Sequence, residues 1–278
     1  MAVKGSVELS LQRKEVYATA GGGIAITLEG YNLINKAIGL SLVPAKTVAV
    51  PGLGDMPNPY VVYDKRQPHV PIPQVVYSRY LAIGYAPSSQ LAISDATVCY
   101  NLHTYDVSDA MNRIKKYPRF GKLMYKDQID PANRGYFIPD PDENFGIWLD
   151  VTAPAQNNKL GVTEFYCWLQ ERQRRQQYAD RFAQGYAKRN ALKSHPAIGI
   201  TRVQLETGGV CGVPVMAWRR EVISEKMIMD AAMGRGGNVQ VVSSNTSTEE
   251  LIAEQSEETG EIMDDMAERN ETVADILG

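Results

Sequence analysis

Apolar residues recur along this chain with two different periods, and the changes of period mark out its elements. "VKGSVELSLQRKEVYATAGGG" reads as a short alternating segment closing in a glycine-rich turn. Helical spacing takes over at Thr27, where Leu33, Ile34, Ala37 and Ile38 share one face, Thr27 caps the start and Gly39 stops the helix. Prolines then punctuate the chain, so Lys46 to Val50 and Tyr60 to Tyr63 are expected as short strands within ordered loop. "QVVYSRYLAIGY" and "QLAISDATVCYNL" flank the turn-type "APSS" and predict a β-hairpin. After it, Val107, Ala110, Met111 and Ile114 stand at i, i+3, i+4 and i+7, which predicts an amphipathic helix capped by Asp106 and ended by Pro118.

Tyr136 to Ile138 and "FGIWLDV" supply further strands. From Thr163 to His195 only Gly185 interrupts helical periodicity, and Pro196 is a stop. At 1.5 Å per residue this predicts a single helix on the order of 45 Å long. "TRVQLE", "TGG" and "CGVPVMAW" predict a second hairpin, and a last helical segment is expected from about Ser224. Beyond "GRGGN" the chain turns rich in Ser, Thr and Glu, so Ser243 to Gly260 reads as a disordered linker. Ile262, Met266, Val273, Ile276 and Leu277 near its end fall close to one helical face, as a partner-docking helix would have them. The expected fold is α+β: a small antiparallel hairpin sheet packed on one long basic helix, with a disordered acidic C-terminal tail. Residues 1–240 form the main domain, and residues 241–278 the acidic linker and short amphipathic helix.

Charge changes this picture. The net charge of −3 hides an asymmetry: eleven of the 32 carboxylates but only one of the 29 Lys and Arg fall in residues 241–278, which leaves about +7 on the first 240 residues and −10 on the tail. A basic body with an acidic tail suits a protein that attracts phosphate, the tail competing for the same surface. On a helical wheel Ala179, Phe182, Ala183, Tyr186, Ala187 and Asn190 form a small, largely apolar stripe suited to lying on a sheet. Arg174, Arg181 and Lys188 fall on the opposite stripe, with Arg175 beside it and Arg189 and Lys193 flanking. A solvated face usually intersperses Glu, whereas cations without acids repel one another unless something anionic is brought to them.

A second basic cluster lies in "RIKKYPRFGKLMYKD", where Arg113, Lys115, Lys116, Arg119, Lys122 and Lys126 have Tyr117, Phe120 and Tyr125 threaded between them. Single-stranded nucleic acid is held by that combination, because phosphates need cations and unstacked bases need π-faces. The competing reading makes the rings core residues and the lysines their exposed alternates.

Enzymatic signals are weaker. Gly21 to Gly23 are followed by no GKS or GKT, so no triphosphate loop is completed and activity without ATP is expected. "PDPDEN" groups carboxylates, but no second cluster completes a two-metal site. His69, His103 and His195 lack metal-ligand spacing, and Cys99, Cys167 and Cys211 have no CxxC spacing. No catalytic residue, metal or cofactor is expected. With no apolar run of eighteen residues and no charged-then-apolar leader before Gly21, neither membrane span nor secretory signal is read, and a cytoplasmic protein is expected.

"ITLEGYNLINKAIGLSLVPAKTVAVP" and "YADRFAQGYAKRNALKSHPAI" together resemble the phage-type single-strand annealing proteins of the RecT and Redβ kind. The resemblance covers Ile26 to Trp218 in layout, and its residues are concentrated at Gly39 to Pro44 and Ala187 to Lys193. It implies a β-β-β-α core with a long basic helix, assembly into rings or helical filaments, and ATP-independent single-stranded DNA binding and annealing in recombination of a phage or mobile element, in the bacterial host cytoplasm. It also implies a DNA groove between hairpin and helix, with Arg174, Arg181, Lys188 and Arg189 on phosphates. The acidic tail would then dock a partner such as a nuclease or single-strand-binding protein. An alternative is a structural or assembly protein of a phage particle, and a nuclease is a third.

Overall fold

A computed structural model describes residues 2–18, 23–65, 71–130, 132, 134–139, 144–155, 161–198, 202–204, 209–218 and 240–247. In chain order the elements are β1 (Ala2–Ser10), β2 (Val16–Ala18), β3 (Ile24–Ile26), α1 (Leu28–Ile38), β4 (Ser41–Pro44), β5 (Thr47–Val50), β6 (Gly54–Pro57), β7 (Tyr60–Tyr63), β8 (Pro73–Tyr85), β9 (Leu91–Asn101), α2 (Leu102–Lys116), β10 (Gly121–Tyr125), β11 (Gly135–Pro139), β12 (Phe145–Asp150), α3 (Glu164–Gln177), α4 (Ala179–Ser194), β13 (Arg202–Val203), β14 (Val210–Trp218) and β15 (Gln240–Thr246). The fold is mixed α+β, with several small sheets. Among the described residues no helix is long and apolar enough to cross a membrane.

Two compact units share the chain. The first comprises Met1–Tyr60, Tyr77–Cys99 and Ala183–Gly278, and the second Val61–Val76 and Tyr100–Phe182. In the first unit α1 forms where the pattern predicts: Thr27 Oγ1 accepts from the Gly30 N–H at 3.2 Å, and Gly39, at φ 82°, closes the helix with its N–H on the Asn35 carbonyl. Tyr31, Ile34 and Ile38 are its buried face. The expected first hairpin is β8 and β9, central in a sheet of order β15-β9-β8-β4.

Four expectations are corrected. The predicted single helix from Thr163 to His195 is two helices: Tyr178, at φ −116° and ψ 20°, separates α3 from α4, while Gly185, the one breaker in the sequence, lies inside α4. Thr163 does cap the start, its hydroxyl accepting from the Tyr166 N–H. Among the described residues the two strands of the second hairpin do not pair with each other: β14 pairs antiparallel with β1 and β13 with β3. The linker reading fails at its beginning: β15 runs parallel to β9 from Gln240↔Ala92 to Thr246↔Val98, so the boundary drawn at 240/241 falls inside a strand. Finally, Asn101 rather than Asp106 caps α2, its side chain accepting from the His103 N–H, since β9 runs straight into that helix. The expected helix from Ser224 and the segment from 248 to 278 lie outside the described residues.

The second unit is built on the antiparallel sheet β10-β12-β11. Directly opposed residues share a face, so the register sorts its side chains. Ile138, Ile147 and Leu149 stand on one face and form a core with Ala110 of α2, Trp168 of α3, Phe120 and Ala153. Val107, Ile114, Phe165 and Leu169 pack on the same cluster, so α2 and α3 both serve that face.

Candidate nucleic-acid interface

The acids missing from the basic helix in sequence arrive from a neighbour in space. Asp106 and Asp109 of α2 meet the arginines of α3: Arg172 Nε lies 2.9 Å from Asp106 Oδ2, and Arg175 Nη1 lies 3.5 Å from Asp109 Oδ2. Arg113 pairs with Asp109 at 3.2 Å and with Glu164, while Arg174 pairs with Glu171 at 2.8 Å. Burial pushes the Asp106 carboxyl up to about 6, against the opposing pull of Arg172 and Arg175. Arg172 also lies over the rings of Tyr136 and Trp168, at 5.8 and 5.5 Å. Arg113 and Arg175 are therefore partners of an interhelical ion-pair lattice, and the DNA-contacting role expected of them is corrected accordingly, whereas Arg174 stays exposed and pairs with Glu171 of its own helix.

On α4 the apolar stripe falls where the wheel puts it: Ala179, Ala183, Ala187 and Ala191 are buried at four-residue spacing. The cationic side divides. Arg181 is exposed, its guanidinium 5.3 Å from the Tyr178 ring, and Lys188 is half-buried over Tyr80 at 5.1 Å. Lys193 is also half-buried. Arg189 is only 5% exposed, beside Tyr186, so the phosphate contact expected of it is corrected: its guanidinium belongs to the packed end of the helix.

The cluster at the end of α2 fares differently. Lys115, Lys116, Arg119, Lys122 and Lys126 are all exposed, on the last turn of α2, the short turn after it and β10. Exposed Asp127 and Asp130 follow. Of the three expected stacking rings, Phe120 is fully buried and is corrected to a structural role, while Tyr117 is half-buried with part of its ring against the same core. Tyr125 is 53% exposed and meets Phe145 edge-on at 5.1 Å.

The sheet itself carries rings that the sequence reading passed over. On the face opposite the core, Lys122 of β10, Trp148 of β12 and Phe137 of β11 stand directly across from one another and form one row over three strands. A Cβ on Gly135 would lie 2.0 Å from Trp148 Nε1, so the indole lies over that glycine. A Cβ on Gly146 would lie 2.8 Å from Phe137 Cζ, so the phenyl ring leans the other way along the strands. Lys122 Nζ stands 5.8 Å from the Trp148 ring centroid. Trp148 and Phe137 are half-buried, whereas Lys122, Gly135 and Pro139 on the same face are exposed. The usable signal was the alternation Ile147-Trp148-Leu149, which sends Trp148 away from the core; its juxtaposition with Phe137 and Lys122 needs the register.

Among the described residues no group of three or more His, Cys, Asp or Glu is arranged to hold a metal ion. No protein-family model, curated protein or solved structure matches the chain.

Proposed function

We propose that this protein binds single-stranded DNA through the basic surface where α2 ends and β10 begins, and promotes annealing of complementary strands without nucleotide hydrolysis. The observation that carries the reading is the set of five exposed cations, Lys115, Lys116, Arg119, Lys122 and Lys126, with the exposed Tyr125 among them. Cations attract the phosphate backbone, and a ring held at the surface offers a π-face to an unstacked base. The groove reading rested on Arg174, Arg181, Lys188 and Arg189, and of these Arg189 is buried and Lys188 half-buried, so the more fully exposed surface at the end of α2 is favoured over it. Annealing, and assembly into a ring or helical filament, come from the family resemblance and belong to the same proposal.

Each phosphate neutralised on a single strand contributes about 0.7 to the slope of log affinity against log salt, so five contacts give a slope near about −3.5. Reversing Lys115 and Lys116 to Glu shallows that slope by about 1.4 and slows annealing of two complementary oligonucleotides. A wild-type protein that neither retards single-stranded DNA at low salt nor speeds annealing would sink the reading.

A further inference from the structure

The row Lys122, Trp148 and Phe137 lies on the sheet face that the hydrophobic core does not use. Rings laid over glycines are a device that stabilises sheets, and Trp148 over Gly135 serves that end. Stabilisation alone does not call for two such rings side by side on the outer face with a cation beside them. The Trp148 indole, three of whose atoms crowd the Cβ position of Gly135, keeps one π-face against the backbone and turns the other outward, while Phe137 brings its Cζ edge to Gly146. On this face Lys122, Gly135 and Pro139 are exposed, Trp148 and Phe137 are half-buried, and Met124 and Gly146 are buried, so the row is open to solvent in part.

We propose that Trp148 and Phe137 are a stacking platform for two unpaired bases, with Lys122 moving from the indole to a phosphate when a base takes its place. The inference rests on the single-stranded DNA reading above and deepens it, naming the groups that hold bases rather than backbone. Three observations support it. Trp148 and Phe137 oppose each other on adjacent strands, which lie about 5 Å apart, and their rings lean apart along the strands, so one extended strand can lay successive bases across them. Lys122, at the end of the same row, places a positive charge beside the rings. Lys126 and Arg119, exposed at either end of β10, extend that charge past the row. Sheets that carry rings on an open face hold two or three bases of a single strand in this manner.

The test separates stacking from charge. Fluorescence anisotropy of a labelled oligo-dT is compared, at several salt concentrations, with that of an oligonucleotide of equal length carrying abasic sites. Wild-type protein should bind the abasic strand roughly 30-fold more weakly or more, about 5-fold at the least for each base lost, with the same salt slope, because stacking releases no counterions. Oligo-dT should also quench tryptophan fluorescence, and the Trp148→Phe variant should keep affinity while losing the quench. The Trp148→Ala and Phe137→Ala variants should each narrow the gap between the two oligonucleotides. Equal wild-type affinity for both strands overturns the platform and leaves the single-stranded DNA reading intact. No binding of either strand at low salt overturns both.

Discussion

His195, fully buried, shows how much one side chain can decide. Its Nε2 is 3.2 Å from the Ala92 carbonyl and its Nδ1 accepts from the Ala197 N–H at 3.1 Å, so the ring is held as the neutral tautomer protonated on Nε2. Burial lowers its pKa from the ordinary 6.5. The unfolded chain therefore takes up a proton that the folded one resists, and stability contributed by His195 is present above pH 6.5 and lost as pH falls. Asp106 acts in the opposite sense. Its carboxyl is raised from 3.8 to about 6, so its contribution is present below 3.8 and lost as pH rises toward 6. Between about pH 4 and 6 the two slopes oppose each other. Urea midpoints taken across that range should rise more steeply with pH in Asp106→Asn than in wild type, and less steeply in His195→Gln. Three parallel curves would remove both residues from the account.

At the scale of elements, α4 is held by how closely it approaches what it covers. Ala179, Ala183, Ala187 and Ala191 form a buried stripe of small side chains at four-residue spacing, and small side chains allow close approach. Replacing Ala183 with Leu should cost about 1–3 kcal/mol through overpacking, read as a fall in melting temperature, while the exposed Arg181→Ala should change stability little. That stripe was legible in the sequence, as were α1 with both its caps and the β8–β9 hairpin, because each is written in local periodicity and local capping residues. What escaped was non-local. Arg113 and Glu164 are 51 residues apart and Arg175 meets Asp109 from another helix, so a face that looked purely cationic in sequence is partly neutralised in space. Phe120 looked like a stacking ring because it sits among lysines, yet the short turn before β10 drops it into the core. Tyr178 gave no sign of ending a helix, since nothing in its chemistry forbids the helical conformation. Trp148 was read only as strand material, because neither Gly135 nor Phe137 can be placed against it without the register.

For the molecule as a whole, charge is the quantity that length scales make legible. Residues 248–278 hold all eleven of the tail's carboxylates and its single arginine, so removing them raises the net charge from −3 to about +7. Deletion after Ser247 should tighten binding to single-stranded DNA at low salt if the tail competes for the basic surface, and the gain should shrink as salt rises. Deletion after residue 239 should in addition lower thermal stability, because it removes β15 from its parallel pairing with β9 and takes away the Thr246 hydroxyl that accepts from Asn190 at 2.8 Å. Equal melting temperatures for the two truncations would deny β15 a structural role.

The chain passes between its two units at 60/61, 76/77, 99/100 and 182/183, so neither unit is a contiguous stretch of sequence. No choice of start and stop codon isolates the β10-β12-β11 sheet with its complete unit. The turn of the β8–β9 hairpin suggests where a splice would work: the Ala86 N–H bonds the Gln90 carbonyl at 2.8 Å, and the same register continued down the strands sets Val76 opposite Tyr100. Replacing residues 77–99 by a tight two-residue turn would rejoin the second unit across neighbouring strands. In genetic terms, removing most of that hairpin would turn the second unit into a single reading frame from residue 61 to residue 182.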